Sequence, residues 1–139
     1  MELYVKRHTD TAKLPVKAHN GDLGYDIFAD EDVELGHGEY KLISTGVSIK
    51  CSNGRWGHII KDRSSMAVKG LFSHAGVIDA GYTGEIKVLL QNVGGFYEVK
   101  KGDKIAQLIP TKVTSFEVME TTELHSGGRG SKGFGSTGR

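Results

Sequence analysis

Three stretches of this chain carry groups able to handle an anionic substrate. Arg63-Ser64-Ser65 sets a guanidinium and two hydroxyls ahead of Met66-Ala67-Val68-Lys69, and Gly70 follows. Serine is a favoured N-cap and glycine a favoured residue just past a helix end, so one or two helical turns are expected here. Free N–H groups at such a start, beside hydroxyls and an arginine, suit a phosphate. The second stretch, His125 to Arg139, has glycine at 127, 128, 130, 133, 135 and 138, with Arg129, Lys132, Phe134, Ser136 and Thr137 between. Its composition is that of a loop that cradles phosphate, although no Gly-Lys-Ser/Thr closes a Gly-x4-Gly spacing. A flat ring at Phe134 could stack on a base. The third is Gly76-Val77-Ile78-Asp79-Ala80-Gly81-Tyr82-Thr83-Gly84-Glu85, an acid at the end of an apolar run with a tyrosine three residues on. Each has a plain alternative. Arg-Ser-Ser also describes a capped surface turn, glycine-rich composition also describes a disordered tail, and Asp and Gly are common in ordinary hairpins.

The elements that must position these groups read as short strands. Leu3 to Arg7, Val33 to Leu35, 41–50 and Trp56 to Ile60 carry β-branched or alternating patterns. Asn53-Gly54 is the strongest hairpin signal in the chain. A second hairpin is expected at Ala80-Gly81, with glycine supplying a positive φ, Asp79 at its shoulder, and a strand resuming at Ile86. Gly84 allows a further close backbone approach. Residues 86–92, Phe96 to Val99 and Ile105 to Pro110 complete the strands. Asp26 lies within an apolar, aromatic run and needs a partner. Gln107 sits mid-strand among apolar residues, so its amide needs buried hydrogen bonds or a ligand. Close-spaced strands, one helical turn and no βαβ alternation imply an all-β jelly-roll-like sandwich or barrel.

Composition sets the outer limits. A chain of 139 residues in one compositional regime implies one domain, large enough to bury roughly 68% of its unfolded surface. We divide it into a β domain over residues 1–124 and a flexible tail over 125–139. A net charge of +1 creates no global field toward nucleic acid or an anionic membrane. The single Cys51 excludes an internal disulfide and suits a reducing compartment. No apolar run approaches the ~20 residues of a membrane span, and the N-terminus lacks a signal-peptide core. The six histidines are scattered without metal-ligand spacing, which argues against a protein-ligated zinc.

Five stretches in order, Leu23-Gly24-Tyr25-Asp26, Asp62-Arg63-Ser64-Ser65, 76–85, Gly102 to Leu108 and Arg129 to Gly138, resemble the five motifs of the trimeric dUTPases (deoxyuridine triphosphate nucleotidohydrolases). Singly they are weak; in register over essentially the whole chain they are specific. The resemblance implies a homotrimeric jelly roll that hydrolyses dUTP to dUMP and pyrophosphate with Mg²⁺, each active site borrowing motifs from all three chains. Such an enzyme keeps uracil out of DNA and supplies dUMP for thymidylate synthesis. By position, Asp79 is the implied general base that activates water for attack on the α-phosphorus. Tyr82 packs on the deoxyribose. Val77, Ile78 and the hairpin around Ser73 read uracil through backbone groups, too tightly for a thymine methyl, and Lys87 lines the nucleoside pocket. Arg63, Ser64 and Ser65 hold phosphates and Gln107 contacts the triphosphate. Arg129, Gly135, Ser136 and Thr137 close on the γ-phosphate while Phe134 stacks on the base. Asp26 acts on the metal through water, because Mg²⁺ keeps much of its hydration and is held mainly by the triphosphate. The expected location is cytoplasmic in a bacterium or virus, or nuclear and cytosolic in a eukaryote.

Three departures stand out. Gly81 replaces an acid that many members carry, Ser65 stands where many have glycine, and Lys132 adds a cation to the tail. A dCTP deaminase on the same fold is the rival enzyme; the tyrosine-bearing hairpin and the aromatic tail weigh against it. A nucleotide-gated module that holds another protein is the non-enzymatic rival, and no long insertion supports it.

Overall fold

A computed structural model describes residues 1–135, 137 and 138 of the chain. The described elements are Leu3–Arg7 (β1), Tyr25–Phe28 (β2), Val33–Leu35 (β3), Tyr40–Ser44 (β4), Val47–Cys51 (β5), Trp56–Lys61 (β6), Ser64–Ala67 (α1), Leu71–His74 (β7), Val77–Ile78 (β8), Lys87–Asn92 (β9), Tyr97–Val99 (β10) and Lys104–Lys112 (β11). They form four small antiparallel sheets, ordered β1-β5, β3-β10, β2-β11-β6-β8 and β4-β9-β7. The all-β architecture with one short helix is the one that the strand spacing implied.

Alternation drives the packing. On β9, Val88, Leu90 and Asn92 point inward while Lys87 faces out. They join Ile27, Leu35, Ile43, Ile60, Leu71 and Leu108 in the core, so every sheet except the β1-β5 pair contributes several side chains and β5 contributes Ile49. The buried Asn92 is tolerated because its amide is fully used. It donates to the carbonyls of Leu35 (2.8 Å) and Gly95 (2.7 Å) and accepts from the Gly94 N–H (2.9 Å).

Local signals misplace four features. The Asn53-Gly54 turn does not close a hairpin, since β5 pairs with β1 while β6 pairs with β11 and β8. The Asn53 side chain closes the turn itself by accepting the Arg55 N–H at 3.0 Å, and the chain crosses between sheets. The expected hairpin at Ala80-Gly81 is likewise absent, because β8 pairs with β6 and β9 with β4 and β7. Tyr82 N–H donates to the Asp79 carbonyl at 3.0 Å, and Gly81 is not among the positive-φ glycines. A type I turn needs no left-handed residue. The hairpin expected around Ser73 also lacks a ladder between β7 and β8; Ala75 and Gly76, with φ of 56° and 96°, turn the chain from one sheet to another. Finally, Arg63 rather than a serine occupies the N-cap of α1, with no side-chain cap bond, and Ser64 and Ser65 lie inside the first turn.

Candidate active site

The last residues of β6 organise a cleft. Ile60 N–H donates to the Gly76 carbonyl at 2.7 Å, just past the Ala75-Gly76 bend. The chain then pairs back on β6, Val77 opposite Ile59 and Ile78 opposite His58. Gly57 makes this approach possible: a Cβ there would stand 2.7 Å from the Ile78 carbonyl oxygen. His58, opposite Ile78, is 7% exposed, and burial pushes its pKa below the usual value.

Asp79 follows β8 directly. Its carboxylate is exposed and, among the described residues, receives no hydrogen bond or ion pair. The Tyr82 hydroxyl donates to the Glu85 carbonyl at 2.8 Å. Its ring lies across Gly84, where a Cβ would come within 2.5 Å of the hydroxyl oxygen. Glu85 in turn accepts the Gly46 N–H at 3.0 Å, and the Thr45 hydroxyl donates to the Ile86 carbonyl at 2.5 Å. These distant contacts hold Asp79, Tyr82 and Lys87 around a cleft of about 590 Å³, with Leu42, Ile60, Val77 and Ile78 supplying apolar surface. That volume suits a nucleotide-sized ligand.

A second cluster lies along the same four-stranded sheet. Gln107 stands opposite Asp26 on β2 and opposite Lys61 on β6. The Asp26 carboxylate meets Arg63 Nε at 3.5 Å and Lys104 Nζ at 3.2 Å. Arg63 also donates to the Lys104 carbonyl at 3.3 Å. Two cations on one carboxylate leave a net positive edge beside the exposed Ser64 and Ser65 of α1, an arrangement that attracts phosphate. The Gln107 amide donates to the Asp62 carbonyl at 2.9 Å, so part of its buried demand is met within the chain. The Asp62 carboxylate accepts both the N–H (2.5 Å) and the hydroxyl (2.6 Å) of Ser73. Among the described residues no three His, Cys, Asp or Glu side chains could hold a metal together. Asp26 alone, already paired twice, fits a water-mediated contact to a cation better than direct ligation.

The tail bonds mostly to itself. Arg129 donates to the carbonyls of Lys132 (3.0 Å) and Gly133 (3.1 Å), and Phe134 is fully exposed.

The sequence pattern of the dUTPase family matches residues 10–138. Among curated relatives, the deoxyuridine 5'-triphosphate nucleotidohydrolase of Clostridium kluyveri is 44% identical over 99% of both chains. That of Paramecium bursaria Chlorella virus 1 is 43% identical over 98% of this chain and 97% of its own. Among solved structures, a mutant dUTPase of Staphylococcus bacteriophage 80alpha, bound to dUpNHpp, superposes with a TM-score of 0.90 at 30% identity, covering 99% of both chains. A dUTPase of phage phi11 of S. aureus, described with a structural Mg(II) ion, superposes at 0.82 with 27% identity, covering 91% of this chain and all of that one.

This chain belongs to the dUTPase family.

Of the site residues expected from the sequence, those in the β domain fall in or beside the two clusters and those in the tail in neither. Val77, Ile78, Asp79, Tyr82 and Lys87 share the cleft. Arg63, Ser64, Ser65, Ser73 and Gln107 do not line it, and neither do Arg129, Phe134, Gly135 and Thr137 of the tail; Ser136 lies outside the described residues. Ser73 is not free to read a base through its N–H, because that donor is spent on Asp62. Four residues that shape the two clusters were not singled out from the sequence: Asp62, Glu85, Lys104 and Gly57. The first three stand inside the motifs as charged residues at the edges of apolar runs, and that was their signal. Gly57 had none, since only the pairing of β6 with β8 creates its contact.

Proposed function

We propose that this dUTPase hydrolyses dUTP to dUMP and pyrophosphate by attack of water on the α-phosphorus, with Asp79 as general base. Water adds across the Pα–O–Pβ link; its oxygen stays on dUMP and its proton passes to Asp79. The observation that carries this is the unpartnered Asp79 carboxylate at the mouth of the Tyr82 cleft, where a base can reach a bound water. Val77 and Ile78 fit the uracil wall, and Tyr82 the sugar. Arg63, Ser64, Ser65 and Gln107 supply the phosphate contacts, and Arg129, Phe134, Gly135, Ser136 and Thr137 close the site as a tail over 125–139. Asp26 would meet a Mg²⁺ ion through water, the ion being held mainly by the triphosphate, and the metal would supply neutralisation of phosphate charge.

The working unit is a homotrimer with shared sites, in the cytoplasm. Two features support sharing. The cleft and the cationic cluster do not share a cavity within one chain. Residues 113–124 run outside every sheet and expose Phe116 (83%) and Val118 (95%), apolar surface that an assembly would cover. Turnover in ¹⁸O-labelled water tests the chemistry: label in dUMP is expected, and label in pyrophosphate rejects α-attack. Light scattering is expected to give three times the 15.1 kDa chain mass.

A further inference from the structure

We infer that Asp62 is a positioning residue that sets the base-reading wall of the cleft, acting through Ser73. This role rests on the proposed function. By sequence Asp62 adjoins the phosphate-side Arg63, yet its carboxylate points elsewhere. It accepts the Ser73 N–H at 2.5 Å and the Ser73 hydroxyl at 2.6 Å. Ser73 lies on β7, whose ladder partner is β9, opposite Leu90; no ladder joins β7 to β6 among the described residues. The Asp62 clasp therefore supplies a tie that the sheets do not.

What the clasp governs is the segment just beyond it. Ala75 holds a φ of 56°, a left-handed conformation that residues with a Cβ rarely adopt and that persists only where the surroundings impose it. Two pins impose it here, and both come from the end of β6. Downstream, Ile60 N–H holds the Gly76 carbonyl at 2.7 Å; upstream, Asp62 holds Ser73. Gly76, Val77 and Ile78 then enter the cleft lining. With one pin removed, the bend can relax toward ordinary backbone angles and the wall moves with it. A wall that excludes a thymine methyl by tight fit is the feature most sensitive to such a shift.

Kinetics of Asp62→Ala, Asp62→Asn and Asp62→Glu in the full-length assembly, on dUTP and dTTP, test this role. In Asp62→Ala, KM for dUTP is expected to rise about tenfold, the cost of a lost charge-assisted hydrogen bond. By the same argument kcat stays within about threefold, and the preference for dUTP over dTTP in kcat/KM narrows about tenfold. Asp62→Asn keeps an acceptor oxygen in place and is expected to restore most of both. Asp62→Glu keeps the charge but displaces the oxygen by a methylene, and is expected not to. A lowered melting temperature with unchanged KM and unchanged preference overturns the role, as does an Asn variant no better than Ala. If Asp62→Ala does not fold, the Asn and Glu variants decide, and equal KM values overturn it. A wild type inert toward dUTP sinks the proposed function and this role together, a result distinct from an active wild type indifferent to Asp62.

Discussion

The cleft and the tail are both glycine-punctuated and both exposed, yet they are built in opposite ways. Around the cleft, the Tyr82 hydroxyl is held locally by the Glu85 carbonyl, but the backbone that carries the lining is tied to residues far away in sequence: Glu85 to Gly46, Ile86 to Thr45 and Val47, Gly76 to Ile60. In the tail, the bonds of Arg129 reach three and four residues, and Gly130 N–H donates to the Gly127 carbonyl at 3.2 Å. Long-range contacts transmit the stability of the whole core to a site. Local ones carry only their own small free energy, and belong to the low-stability end of a protein. Preorganisation suits the group that must aim a water. A weakly held segment suits a cover that admits substrate and then excludes solvent.

The contrast can be broken by mutation. The largest effect is expected from Asp79→Asn, which keeps size and hydrogen bonding but removes the carboxylate proposed as the base. Turnover of dUTP is expected to fall about 10²–10⁴-fold with affinity for dUpNHpp retained, as steady-state kinetics and calorimetry would measure. Near-normal turnover would remove Asp79 from the role of base. Next is truncation after Leu124. If the tail only covers the site, kcat/KM drops about a hundredfold through lost positioning, while the melting temperature holds. A large drop in melting temperature instead would mean that the tail is part of the fold. Gly84→Ala probes the other side of the comparison. Its Cβ would meet the Tyr82 hydroxyl oxygen at 2.5 Å, the far end of an exposed side chain, so the ring is expected to swing off Gly84, raising KM at a stability cost of about 0.5–1 kcal/mol. An unchanged KM would show that binding does not depend on the Tyr82 ring lying over Gly84.

The smallest effect concerns pH. Burial holds the folded pKa of His58 below its unfolded value, so as pH falls the unfolded chain takes the proton first. The contribution of His58 is fully present above about pH 6.5 and is lost as pH falls through the folded pKa. Urea midpoints should therefore drop between about pH 7.5 and 5.5, and His58→Gln should flatten that slope. An unchanged slope in the variant would assign the dependence to other groups. At Asp30, burial raises the pKa but is outweighed by hydrogen bonds from Thr9 and Thr11 and by the charge of Lys101, so the net shift is downward. Its stability contribution is present above its unfolded pKa of about 4 and is lost in a separate, more acidic window.

Strands were legible because inward and outward residues alternate, as on β9 from Lys87 to Asn92. Partners were not. Asn53-Gly54 carries a strong local signal for a hairpin, but the strands beside it gain more by pairing with β1 and β11. The same competition dissolved the hairpin at Ala80-Gly81 and moved the left-handed residues upstream to Ala75 and Gly76. Candidate site residues can be named where chemistry marks them: a lone acid, an Arg-Ser-Ser turn, a phenylalanine among glycines. Gly57, whose only role is to leave room for the Ile78 carbonyl, is invisible until β6 and β8 meet.

By itself, the order of residues determined the all-β class, most of the strands and the five motifs in register, because alternation and motif spacing are properties of the chain alone; the one strand expected over 41–50 is two, Tyr40–Ser44 and Val47–Cys51, which turn at Gly46 into different sheets. The tertiary structure alone decided that Asp79, Tyr82 and Lys87 share a cleft that Arg63 and Gln107 do not enter, and that Asp62 serves Ser73. Those facts depend on which strands pair, and pairing is settled by the competition of all of them for one core.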